Sequence, residues 1–87
     1  MPAKPIRISF HARFEMARRR IKRSEVMATI RNPDQILPSH KGRHIYQSKT
    51  GRAGRWLLRL IVMEDALAYH VVTAYKTSKV AKYWRMP

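Results

Sequence analysis

Residues 55–76 read RWLLRLIVMEDALAYHVVTAYK, two apolar runs separated by the acidic pair Glu64-Asp65, and no other stretch narrows the possible folds as much. Both runs are rich in β-branched, leucine and aromatic residues and hold neither Gly nor Pro. They predict a β-hairpin at the centre of a small sheet. In the first strand Trp56, Leu58, Leu60 and Val62 share one face and Arg55, Leu57, Arg59 and Ile61 the other, because side chains alternate along a strand. The all-apolar face is expected to take helices, and the Arg-bearing face to see solvent or ligand. In the second strand Tyr69, Val71, Thr73 and Tyr75 alternate with His70, Val72, Ala74 and Lys76. Neither set is plainly the apolar one, so periodicity leaves the facing of this strand open.

The rest of the chain supplies cover. Met1 to Pro5 carry two prolines and no periodic pattern and are expected to fray. Ile6-Arg7-Ile8 suits a short edge strand. Ser9 stands where a helix N-cap would, and Phe10, Phe14, Ala17 and Ile21 recur at helical spacing, which predicts a first helix over Phe10 to Arg20 with that apolar face inward. A second helix is predicted over Ser24 to Arg31, with Val26, Met27 and Ile30 apolar and Asn32-Pro33 as its stop. Gln35-Ile36-Leu37 and Arg43 to Lys49 read as strands separated by the turn Ser39 to Gly42, and Thr50 to Gly54 as a Gly-containing loop. Lys79 to Arg85 is a basic amphipathic end, a last helical turn or a tail strand. The fold class is therefore α+β: two N-terminal helices packed on one face of an antiparallel sheet of three to five strands, with one sheet face uncovered. At 87 residues it is one domain, of a size that buries somewhat over ~60% of its unfolded surface.

Charge decides the partner class. There are 19 Lys and Arg against 5 Asp and Glu, a formal +14. Residues 1–31 hold nine cations and two acids, and residues 32–87 hold ten and three, so no basic tail accounts for the excess. A folded surface that positive attracts polyanions through its field and through counterion release. Nucleic acid is the leading expectation and an acidic protein the second. Without cysteine there is no disulfide or thiolate metal site. The five acids, two of them adjacent in a turn, make a poor carboxylate metal site, and the His40/His44 spacing is undone by Pro38 and Gly42. No nucleotide-binding glycine pattern and no serine-centred nucleophile motif occurs. No cofactor and no metal is expected. No apolar run nears the ~20 residues of a membrane span and no signal-type stretch follows the basic start, so a soluble cytoplasmic protein is expected.

His11-Ala12 with Met16 and the Arg run, then Ile30-Arg31-Asn32-Pro33-Asp34, then Val71-Val72-Thr73-Ala74-Tyr75 with its Lys-rich sequel, resemble a small domain-of-unknown-function family. That family looks related to the RelE/ParE and BrnT toxins of bacterial toxin–antitoxin pairs. The resemblance spans about Ile8 to Tyr83. It implies helices on one side of a sheet, a concave face that takes RNA, including ribosome-bound mRNA, metal-independent cleavage, and an acidic or DNA-binding antitoxin that covers the site. Relatives tend to carry Gly where this chain has Arg20, so the first helix is expected to end differently or run on.

Metal-free RNA cleavage needs a base for the 2′-OH, cations for the phosphorane and an acid for the leaving oxygen. By resemblance Arg59 is the candidate phosphate stabiliser, and Tyr83 and Lys82 are the proton-transfer candidates. His11, in the first turn of a helix, is either a base or a surface histidine. Arg18, Arg19, Arg20, Arg55, Lys76 and Lys79 are the candidate nucleic-acid contacts, although Arg18 to Arg20 also suit a helix C-terminus. Trp56 and Trp84 are able to stack on bases, but parity puts Trp56 in the core. Beside the toxin stand two further readings: a non-catalytic nucleic-acid or ribosome-binding module, and a basic protein-interaction domain.

Overall fold

The computed structural model describes residues 4–86. Its elements in chain order are β1 (Ile6–Ile8), α1 (Phe10–Arg18), α2 (Arg23–Arg31), β2 (Gln35–Pro38), β3 (His44–Thr50), β4 (Trp56–Glu64), β5 (Tyr69–Thr77) and a one-turn α3 (Val80–Tyr83). The five strands form one sheet in the order β1-β5-β4-β3-β2. The central hairpin is β4–β5, as expected. The sheet is mixed rather than antiparallel, because β1 runs parallel to β5 at the edge while every other neighbour is antiparallel. Of the expected frayed start, residues 1–3 lie outside the described residues. Lys4 and Pro5 are tied down: Lys4 pairs with Glu64, and the Tyr69 N–H donates to Pro5 O at 3.0 Å.

The core lies between α1, α2 and one sheet face. Leu58, Leu60 and Val62 from β4, Tyr46 from β3 and Val71 and Ala74 from β5 meet Ala12, Met16, Ile21, Val26 and Ile30. α1 lies over β5 and α2 over β3. Val26, Met27 and Ile30 face inward as expected, whereas α1 is rotated from its expected position. Phe10 is 80% and Phe14 58% exposed, and Ala17 is exposed too, while Ala12 and Met16 are buried. A tertiary tether sets that rotation. Ser9 caps α1 by accepting the Ala12 N–H (3.0 Å), its own N–H donates to Val71 O (3.0 Å), and its hydroxyl donates to Val72 O (3.0 Å). The small Ala12 then meets β5, and the phenylalanines turn outward.

The same place explains why β5 resists a parity reading. Ile61 pairs with Thr73 but Val62 pairs with Val71, leaving Val72 as the extra residue of a β-bulge. Val71, Ala74 and Lys76 consequently face the helices, while Thr73 and Tyr75 face away.

Helix α1 ends in a Schellman motif. The Ile21 N–H reaches Met16 O (2.8 Å), the Arg20 N–H reaches Ala17 O (3.3 Å), and Arg20 takes a left-handed φ of 58°. Ile21 and Met16 are both buried beside the motif. Helix α1 therefore stops at Arg18 and does not run on, with Arg20 in the conformation that suits glycine. Arg20→Gly is expected to raise unfolding stability by about 0.5–1 kcal/mol, since a side chain at positive φ is strained; urea midpoints of the two proteins check it. Among the described residues no helix is long and apolar enough to cross a membrane.

Candidate nucleic-acid interface

The sheet face opposite α1 and α2 is not open around Arg59, contrary to expectation. Arg59 is 6% exposed, and Leu57 on the same face is fully buried. The reason is visible in β4 itself: Leu57, Leu58, Leu60, Ile61 and Val62 make a strand apolar on both sides, which calls for cover on both. The C-terminal segment supplies it as a strap. Gln47 Nε2 donates to Tyr83 O (3.2 Å), Gln35 Nε2 donates to Arg85 O (2.5 Å), and the Arg85 N–H donates to Gln35 Oε1 (3.0 Å). Lys49 Nζ lies 4.1 Å from the centre of the Trp84 ring.

Beneath the strap runs a polar row in register across four strands. Gln35 pairs with Gln47, Gln47 with Arg59, and Arg59 with Tyr75. Gln47 Nε2 donates to Gln35 Oε1 (2.7 Å), Arg59 Nε to Gln47 Oε1 (2.9 Å), and Arg59 Nη1 to the Tyr75 hydroxyl (2.5 Å). The guanidinium carbon sits 4.2 Å from the centre of the Tyr83 ring and 5.7 Å from that of Tyr75. No carboxylate pairs with Arg59 among the described residues. A buried cation is normally paired; this one is held by amide oxygen, phenol and aromatic faces. The expected pair Arg59 and Tyr83 is thus brought together, in contact but covered. Lys82 is exposed beside it, its Nζ 5.2 Å from the Tyr83 ring. His11 is exposed on α1, which packs on the other sheet face, so it does not join them. Gln47 and Tyr75 were missed as partners; only the strand register reveals them.

The basic residues gather elsewhere. At one end of the helix layer an open cavity of about 750 Å³ is lined by Arg19, Arg20 and Lys22 from the α1–α2 junction, Ser24 and Glu25 from α2, Thr50 and Gly51 at the end of β3, Trp56 and Lys76. Three expected contacts, Arg19, Arg20 and Lys76, therefore share one site. Arg18 is exposed and bound to Glu15 (3.0 Å), Arg55 lies exposed in the turn before β4, and Lys79 is exposed at the N-cap of α3; none of these lines the cavity. Lys22 was not foreseen. Trp56 is 46% exposed rather than buried in the core, because it opens β4 at the rim of the helix layer.

Glu25 is the one carboxylate in the cavity lining. It accepts the Lys22 N–H (3.0 Å) as part of the first turn of α2 and pairs with Lys76 Nζ (2.8 Å). Partial burial pushes its pKa up, but the hydrogen bonds from Lys76 and the Lys22 N–H outweigh this and hold it below the ordinary glutamate range. Arg19 is held by Glu15 at 3.0 Å. Arg20 and Lys22 have no carboxylate partner among the described residues.

Over residues 8–82 the sequence matches the family described as Domain of unknown function (DUF4258). The chain belongs to that family. No curated protein and no solved structure matched in the corresponding comparisons. The description of the DUF4258 family assigns it no activity.

Proposed function

We propose that this DUF4258 domain binds RNA through its positive surface and acts as a RelE/BrnT-like toxin, with metal-independent cleavage as its chemistry. The observation that carries the reading is the shortage of internal partners for its cations. Among the described residues only Lys4, Arg18, Arg19 and Lys76 of the 19 Lys and Arg side chains pair with a carboxylate. Apart from Arg59, which lies buried under the strap, the others keep their charge available for phosphates, and ribosome-bound mRNA is the substrate the toxin reading favours. Cleavage would be centred on Arg59, and since the strap that covers it carries Tyr83, the strap would have to shift far enough to admit a phosphodiester to the guanidinium while keeping the Tyr83 hydroxyl within reach of it. The Tyr83 hydroxyl makes no hydrogen bond among the described residues, which leaves it free for proton transfer.

A second reading, the protein-interaction surface, has its own support. Phe10 and Phe14 stand outward one turn apart on α1, and a partner that covered them would bury substantial apolar area. An acidic antitoxin fits both that stripe and the net charge.

Incubating the purified chain with free and ribosome-bound RNA, in the presence of a metal chelator, tests the proposal. The expected result is binding that weakens steeply with salt, with a logarithmic slope of about −0.7 per phosphate contact on single strands, together with cleavage that Tyr83→Phe abolishes. Intact RNA with salt-dependent binding would leave a non-catalytic module, and no salt-dependent binding would leave only the protein-interaction domain. Toxicity on expression that a neighbouring reading frame relieves would support the toxin assignment.

A further inference from the structure

Four separate segments build the basic cavity, and besides the hydroxyls of Ser24 and Thr50 and the Glu25 carboxylate, which is paired with Lys76, two kinds of side chain stand out. Arg20, Lys22 and Lys76 bring positive charge, and Trp56 brings an aromatic surface that is 46% exposed. A half-exposed indole in a chain this polar would be unremarkable if it were free to turn, but Trp56 is held in place. Gly51, also in the cavity lining, has φ 78° and ψ −179°, a conformation essentially reserved for glycine. A Cβ built on Gly51 would lie 3.0 Å from Trp56 Cδ1, so the indole edge rests against bare backbone. The last residue of β3, Thr50, pairs with Trp56 across the sheet and fixes the strand that carries the ring. The platform is thus braced from one side with cations around it.

Charge alone would suit any polyanion, duplex or single-stranded, nucleic acid or acidic peptide. The aromatic platform narrows the choice. Bases in a duplex are already stacked on each other, whereas an unpaired base offers a free face to an indole. The cavity, at about 750 Å³, falls within the range that takes a small ligand or a nucleotide. Arg20 and Lys22, without carboxylate partners among the described residues, are placed to meet the phosphates flanking such a base.

We infer that this cavity is a single-stranded RNA subsite, in which one unpaired base stacks on Trp56 while Arg20 and Lys22 hold the adjacent phosphodiester. The inference rests on the RNA-binding reading above and deepens it by naming the substrate class: unpaired RNA rather than duplex. The site lies on the helix side of the sheet, so it is separate from Arg59 beneath the strap.

The test titrates the full chain with hexauridylate, with a short RNA duplex and with inorganic polyphosphate, following tryptophan emission and, in parallel, anisotropy of labelled ligand. Trp84→Phe makes Trp56 the sole emitter. Hexauridylate is expected to quench Trp56 emission, and Trp56→Ala to weaken hexauridylate binding by about tenfold or more, the effect of losing one stacked base. Trp56→Phe should retain most of the affinity, which separates stacking from a merely structural role. Polyphosphate affinity should be unchanged in Trp56→Ala and reduced in the Arg20→Ala/Lys22→Ala double variant. Unchanged hexauridylate affinity in Trp56→Ala would overturn the subsite while leaving general RNA binding intact. Equal sensitivity of duplex and hexauridylate to Trp56→Ala would overturn it as well. Failure of wild type to bind any RNA would sink the broader reading and this one with it. Should Trp56→Ala melt below the assay temperature, the quenching of wild-type Trp56 in the Trp84→Phe background decides: absence of quenching at saturating hexauridylate overturns the inference.

Discussion

Replacing Arg59 with alanine is expected to destabilise the domain by about 2–4 kcal/mol, most of the margin that a chain this small is able to hold. Three losses add in the same direction. The guanidinium fills the space between the β4 backbone and the Tyr83 ring, 4.2 Å away, and alanine leaves that space empty. Gln47 Oε1 and the Tyr75 hydroxyl each lose a charged donor, and Gln47 is itself fully buried, so its oxygen is left without compensation from water. The strap then loses the cation its aromatic ring covers. Arg59→Met keeps much of the volume and separates the terms: a cost of about 1–2 kcal/mol would isolate the unsatisfied acceptors. Arg59→Lys is not a conservative change here, because one ammonium replaces a planar fork that reaches Gln47 and Tyr75 in two directions. Urea unfolding followed by circular dichroism measures all three. An Arg59→Ala protein within about 0.5 kcal/mol of wild type would contradict the held, buried cation described above.

Tyr83 is expected to divide stability from chemistry. Tyr83→Ala removes the ring that covers Arg59 and is expected to cost about 2–3 kcal/mol through lost packing and lost cation–π attraction. Tyr83→Phe keeps the ring. Since the Tyr83 hydroxyl donates to no described residue, and the strap is held through the Tyr83 carbonyl instead, the phenylalanine variant is expected to unfold within about 0.5 kcal/mol of wild type. A large loss in Tyr83→Phe would mean that the hydroxyl has a structural partner. A stable Tyr83→Phe protein that also cleaves RNA normally would remove Tyr83 from the chemistry and leave it the cover of Arg59. In Tyr83→Ala the strap is loosened, so Arg59 should become accessible to phosphate, and RNA affinity should rise or hold while stability falls.

Several features of the fold were readable residue by residue. The Ser9 cap, the Asn32-Pro33 stop, the Gly42 and Gly51 turns and the β4–β5 hairpin all follow from interactions within a turn or from alternation along a strand. Other features were not readable, for identifiable reasons. The outward turn of Phe10 and Phe14 depends on hydrogen bonds from Ser9 to Val71 and Val72, partners more than 60 residues away. The facing of β5 depends on the bulge at Val72, which breaks the two-residue period on which a parity reading relies. Arg20 shows the converse: the family resemblance pointed to a missing glycine there, and the chain takes the left-handed turn regardless, because the Schellman bonds and the Ile21–Met16 contact outweigh the strain of one side chain.

The sequence by itself determined the two helices and the strands that follow them, their order, the two-helix cover of a β-rich centre and a surface with too few acids to neutralise its cations, while it left the C-terminal segment open between a helical turn and a strand. Those properties are local or compositional, and no tertiary contact is needed to read them. Only the tertiary structure decided which residues share a site. It seated Arg59 under the strap with Gln47, Tyr75 and Tyr83, and it gathered Arg20, Lys22, Gly51, Trp56 and Lys76 around one cavity. The physical reason is that strand register, a bulge and a helix rotation are each set by hydrogen bonds between distant segments; a one-residue change in a strand sends a side chain to the opposite face, and one in a helix turns it by about 100°.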